Sequence, residues 1–218
     1  MAKTTTLSKI LAAGPCGQSP VSYANQGTNF GKTELTGWLK LLTGLEAKYG
    51  KPPDMFGALP FADILEVNGL ADALWCCRTK PEFNGSWRWF EAWCITQQVE
   101  FLVPELRPAY TALLAHVEGH GGDLKTAFKE AKAGKYSLVL ARRARGERMT
   151  IPQAVEWSTM EAAAREFSEV ELATALVEAL RPDRGYSPGM AAYYAIEAAA
   201  QSRDARKAQA AKFLEIVK

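Results

Sequence analysis

The chain has 218 residues, 48% hydrophobic and 23% charged, with a formal net charge of +2. Those proportions belong to a folded globular protein and exclude two classes: disordered chains, which lack the apolar surface to offset ordering entropy, and DNA mimics or histone-like binders, which need a far larger charge of one sign. No window approaches the roughly eighteen uninterrupted apolar residues of a membrane span, so no membrane partner is expected and the expected location is cytoplasmic.

LSKILAAGPC at 7–16 has the outline of a lipoprotein processing site, but Pro15 and Lys9 argue against it. Of the cysteines Cys16, Cys76, Cys77 and Cys94, two are adjacent and three lie in apolar runs. Such spacing makes a poor disulfide framework, and they are read as reduced core residues.

Residues 4–14 predict a short helix with Leu7, Ile10 and Leu11 on one face, stopped by Gly14 and Pro15. A Gly-rich connection at 16–33 follows, and Thr33 or Thr36 is placed to cap a helix carrying Trp38, Leu41, Leu42 and Leu45. The prolines and glycines of YGKPPDMFGALP forbid a continuous helix. The chain therefore divides into an N-terminal helical subunit at 1–50, a linker at 51–60 and a main bundle at 61–218.

Phe61, Ile64 and Leu65 predict a helix ended by Asn68-Gly69, and Leu70 to Arg78 another. Ser86 is placed as N-cap of the next, with Phe90, Trp93, Cys94, Gln97 and Phe101 on the buried stripe and Glu91, Gln98 and Glu100 facing elsewhere. Leu106, Tyr110, Leu113, Leu114 and Val117 give a clear helical period that stops at Gly119 to Gly122.

Asp123 caps a short helix with Leu124 and Phe128 inward and Gly134 at its end, and YSLVLARRAR reads as helix, because a lone strand would leave its backbone groups unpaired. Gly146 ends it. Thr150 with Gln153, then Ser168 with Glu171, repeat the capping-box pattern; the second opens a stripe of Val170, Ala173, Leu176, Val177 and Leu180. Ser187 and Pro188 start a long Ala-rich helix towards Val217, with Tyr194, Ala198, Phe213 and Val217 inward. The expected fold is an all-α bundle of about eight to ten helices.

LPFADILEVNGLADALWCCR at 59–78, RWFEAWCITQQVEFL at 88–102 and the Ala-rich end AQAAKFLEIV at 208–217 together resemble the all-helical immunity proteins of bacteria and phages, named for the inhibitory partners of polymorphic toxins. The stretch DLKTAFKEAKAGKYSLVLARRARGERM departs from the long alanine runs of that family. The resemblance implies a helical fold and the binding and silencing of another protein, a toxin or a host defence complex. It implies no catalytic residues and no cofactor.

The chemistry-bearing patterns are few. QGTNFGKT at 26–33 has Gln26 where a phosphate-binding loop needs glycine, and is read as a turn. His116 and His120, four apart, have metal-ligand spacing on a helix, but the glycines after them should unwind it, so no metal site is assigned. Arg142, Arg143, Arg145 and Arg148 form the densest basic run, and Arg203, Arg206, Lys207 and Lys212 a second. The plain reading of these runs is a solvated helical face, since Glu147, Asp204 and Glu215 intersperse; of the functional readings a protein interface comes first, and contact with nucleic acid, as a helical regulator, is the alternative. Trp87 and Trp89 cannot both lie on the buried stripe, so at least one is expected partly outside it: core if another helix covers it, a contact residue if it is exposed beside Arg88. Occlusion of a target would need a surface of roughly 800 Å² with a few aromatic or arginine anchors.

Overall fold

A computed structural model of the chain describes residues 2–14, 35–144, 169–181 and 203–218. The described part is all-α. Nine helices are present among these residues: α1 (Leu7–Ala12), α2 (Leu35–Tyr49), α3 (Phe61–Asn68), α4 (Leu70–Cys76), α5 (Asn84–Thr96), α6 (Arg107–Val117), α7 (Leu124–Ala144), α8 (169–179) and α9 (Arg203–Val217). A two-stranded antiparallel ribbon pairs β1 (Thr4–Thr5) with β2 (Leu59–Pro60), Thr4 opposite Pro60 and Thr5 opposite Leu59.

The chain forms two compact units, Met1–Phe83 with Ala210–Lys218, and Asn84–Gln209; the residues of α9 divide between them. This differs from the expected division at 51–60. That segment is mostly exposed, but it ends in β2, which is paired to β1, and α2 packs on α3, so the residues before and after it share one unit. A turn signal stops a helix without ending a domain.

In the first unit, Thr6 caps α1, its hydroxyl accepting from Lys9 N at 3.2 Å. Leu7 and Ile10 are buried, each 1% exposed, whereas Leu11 is 37% exposed and so does not share their face. Thr36 lies inside α2 and is not its cap; Thr33 falls outside the described residues. Leu41 and Leu45 are buried, with Trp38 and Leu42 at the margin. Lys48 ties the end of α2 to α3 through Asp63 at 2.8 Å and Glu66, and the Tyr49 hydroxyl donates to Asp63. Gly69, at φ 91°, lets the chain turn between α3 and α4 in a conformation that a side chain would disfavour. The backbone of Lys3 bonds to Val217 on one side and Phe61 on the other, and Phe213 and Val217 are buried as expected.

In the second unit α5 starts at Asn84, so Ser86 lies within its first turn rather than capping it. The glycines after α6 do end that helix, with Gly119 and Gly121 at φ 79° and 80°. Asp123 caps α7: its carboxylate accepts from Lys125 N and Thr126 N, both at 3.0 Å. These bonds hold its pKa below the ordinary carboxylate range, the Thr126 hydroxyl contributing most.

The short helix expected after Asp123 continues without a break to Ala144, through Gly134 and into the segment read as helix rather than strand. Gly134 is a contact point, not a stop: a Cβ there would lie 2.6 Å from the Leu106 side chain. Leu124, Ala127 and Ala131 are buried, while Phe128 is only half-buried, so small residues set the close approach of α7 to α6. Helix α8 differs too from the single stripe expected of it. Leu172, Ala173, Ala175, Leu176 and Ala179 are all 0% exposed, so burial extends around most of the helix and leaves Glu171 and Glu178 on a half-buried face.

Gly122 is set against α6, where a Cβ would stand 2.5 Å from the backbone oxygen of Ala112 and 3.2 Å from His116 N. Backbone cannot yield as a flexible side chain can. Gly122→Ala is expected to destabilise the protein by about 1–3 kcal/mol, seen as a lower urea midpoint with an unchanged slope.

Candidate partner-binding surface

Among the described residues the most exposed large apolar side chain is on the segment read as a linker. Phe56 is 80% exposed. Pro52 and Pro53 restrict the approach to it, and the Asp54 carboxylate accepts from Phe56 N at 2.9 Å, an Asx turn. The Met55 carbonyl accepts from Ser8 N at 2.8 Å, fastening the turn to α1. The ring is thus held out by an ordered backbone. Leu11, one helical turn beyond Ser8, adds a second exposed apolar side chain on the element to which the turn is bonded. Scattered exposed apolar residues are ordinary; what distinguishes Phe56 is 80% exposure on a turn closed by its own Asx bond and fastened to α1 through Met55.

In the second unit, Trp87 is 2% exposed and Trp89 36%. Only Trp89 is available to a partner. Trp87 is withdrawn as a contact residue, because its ring lies on the face shared with Glu91, Cys94 and Ile95, all 0% exposed. Gln97 is exposed instead of lying on the buried stripe.

Glu91 is the larger surprise, since a carboxylate beside Phe90 was expected to face away. It is fully buried, and it lies one turn from Arg88, whose Nη2 donates to the Arg181 carbonyl at 2.7 Å, just beyond α8. A guanidinium at a helix C-terminus satisfies an orphan carbonyl and opposes the negative end of the helix dipole. Burial pulls the Arg88 pKa down and the Glu91 charge acts to raise it. Burial also lifts the Cys94 thiol well above its ordinary value, with Glu91 adding to the shift, and burial with the Arg88 charge lowers the exposed His116. The signal for Glu91 was available: Trp87, Glu91, Cys94 and Ile95 stand at i, i+4, i+7 and i+8.

The other sequence candidates are placed as follows. Arg142 and Arg143 belong to α7, but their side chains, with Arg145 and Arg148, fall outside the described residues, as do Cys16, 26–33, Gly146, 150–168, Ser187, Pro188, Tyr194 and Ala198. In the second basic run Lys212 pairs with Glu215 at 2.9 Å and Lys207 approaches Asp204 at 4.0 Å. His116 is the penultimate residue of α6, and His120 lies beyond its end, near Glu118 at 3.9 Å; the unwinding separates the pair from a common helix face. No described helix is long and apolar enough to cross a membrane.

No family model, curated protein or solved structure matches the chain. Function therefore has to be argued from these side chains.

Cys76, Cys77 and Cys94 are free and buried. Burial pushes the Cys76 thiol up to about 12. A thiol whose pKa is raised by folding stabilises the fold below its unfolded pKa, and that contribution declines as pH rises from about 8.5 towards the folded value. Peptide mapping after iodoacetamide treatment at pH 8 is expected to find these three unmodified in native protein and alkylated in urea.

Proposed function

We propose that the chain is a non-catalytic helical protein that acts in the cytoplasm by binding another protein and blocking it, as an immunity-type or phage anti-defence inhibitor. Phe56 carries this reading: an aromatic ring 80% exposed on a turn fastened to α1 has the form of a binding anchor, and aromatic anchors dominate the energetics of protein interfaces. Trp89 supplies a second anchor on the other unit. Within each unit titratable groups have structural occupations: in the first, Lys48, Asp63 and Glu66 join α2 to α3; in the second, Asp123 caps α7, Glu91 is buried and half-buried Arg88 bonds to the Arg181 carbonyl. The likeness at 59–78 and 88–102 to immunity proteins points the same way. The second basic run favours a protein target over nucleic acid, because its described lysines alternate with acidic neighbours.

The test is affinity capture from the native host with the wild-type chain and with Phe56→Ala and Trp89→Ala. A protein is expected to co-purify, and Phe56→Ala is expected to weaken its binding at least about tenfold, a loss of about 1.4 kcal/mol, without lowering stability. Recovery of nucleic acid in its place, with binding that collapses between low and moderate salt, would overturn the reading.

A further inference from the structure

A cavity of about 450 Å³ opens on the second unit, lined from the end of α5, the turn after it and the start of the described part of α9. Its size lies within the range of about 300–1,000 Å³ usual for small-ligand sites. The polar side chains around it are carboxylates and amides. Glu100 and Asp204 bring carboxylates, Gln97 and Gln209 bring amides, and Trp93 and Phe101 bring rings. No lysine or arginine is among the described lining residues.

Gln209 is the observation that points to a ligand. It is 3% exposed, and its Oε1 has no hydrogen-bond partner among the described residues. A buried amide oxygen left without a donor costs about 1–3 kcal/mol, and a donor entering the cavity would recover it. Trp93 is half-buried and stacked on Phe90 with ring centroids 6.3 Å apart, which holds the indole at the cavity wall. An aromatic wall attracts organic cations, and carboxylates with an amide oxygen accept the several N–H donors of one planar cation. Lys207 lies 4.0 Å from Asp204, but both side chains are exposed, at 67% and 95%, and such a pair contributes little.

We propose that this cavity is a guanidinium-binding site. The group's N–H donors meet Glu100, Asp204 and Gln209 Oε1, and its planar face lies against Trp93. Glu100 and Asp204 supply the charge selectivity, and Gln209 distinguishes a donor-rich cation from a simple one. This goes beyond inhibition of a protein target and does not depend on it. The guanidinium can belong to a free small molecule or to an arginine side chain of another protein.

The experiment is calorimetric titration of the full chain with agmatine, with its neutral urea analogue, and with an N-acetylated peptide carrying one arginine or one citrulline. Saturable binding of agmatine or the arginine peptide is expected, at least about tenfold weaker for the urea and citrulline counterparts. The same loss of at least about tenfold is expected for Glu100→Gln with Asp204→Asn, exposed substitutions that leave the fold intact, and for Gln209→Leu. A peptide bound at least about tenfold more tightly than agmatine identifies a protein arginine as the source, and the reverse order a free guanidino compound. Absence of saturation at about 10 mM, a range where even contacts worth about 3 kcal/mol would register, overturns the proposal. So does binding that is unchanged in both sets of variants.

Discussion

Trp87→Ala is expected to destabilise the protein by about 3–5 kcal/mol, and Trp89→Ala by less than about 1 kcal/mol, although the two residues are the same and two positions apart. At 3.6 residues per turn they stand about 200° apart around α5. Trp87 falls with Glu91, Cys94 and Ile95 in the interior, so truncation opens a cavity that the surrounding packing closes only in part. Trp89, at 36% exposed, loses contact area that water replaces. Urea unfolding of the two variants measures the difference, and equal midpoints would mean that the α5 faces are assigned wrongly. If Trp89 is also a partner anchor, its substitution will cost affinity while sparing stability, the reverse of Trp87.

The second large effect is at Arg88 and Glu91. Arg88→Met removes the bond to the Arg181 carbonyl and takes the only charge opposing Glu91 that acts from the same turn of α5, with an expected loss of about 3–5 kcal/mol. Glu91→Gln keeps the shape of the side chain and removes its charge, so it too should destabilise. The double variant should lose less than the two single losses added, with a coupling of about 0.5–3 kcal/mol. Urea midpoints of the four proteins complete the cycle. Additivity would show that the two charges do not feel one another. Against a total stability of about 5–15 kcal/mol, either single substitution would consume a large share.

The local rules read from the sequence hold where a signal and its consequence lie within a turn or two. Asp123 caps α7, Asn68-Gly69 separates α3 from α4, and the glycines after α6 unwind it, each through bonds and dihedral preferences that need no distant neighbour. The end of α9 was legible for the same reason, since period alone places Phe213 and Val217 inward; in α8 it placed Leu176 inward but left out Leu172 and Ala175, which are buried as well. Gly134 shows the limit of such rules. As a local signal it stops a helix, yet α7 passes through it because Leu106 occupies the space where a side chain would be.

By itself, then, the sequence determined an all-α protein, the helical identity of its core segments and the reduced, buried state of Cys76, Cys77 and Cys94. Tertiary structure alone decided which surface is left over. Whether Trp87 or Trp89 is the exposed one, and whether Gln209 finds a donor, depend on which faces other elements cover. Periodicity along one helix counts its apolar positions but cannot say how wide a stripe its neighbours will bury. Phe56 was hidden for the complementary reason: an aperiodic Pro-Pro-Asp turn carries no pattern from which exposure can be read, and only the bonds from Asp54 and Ser8 show that its ring is held outward.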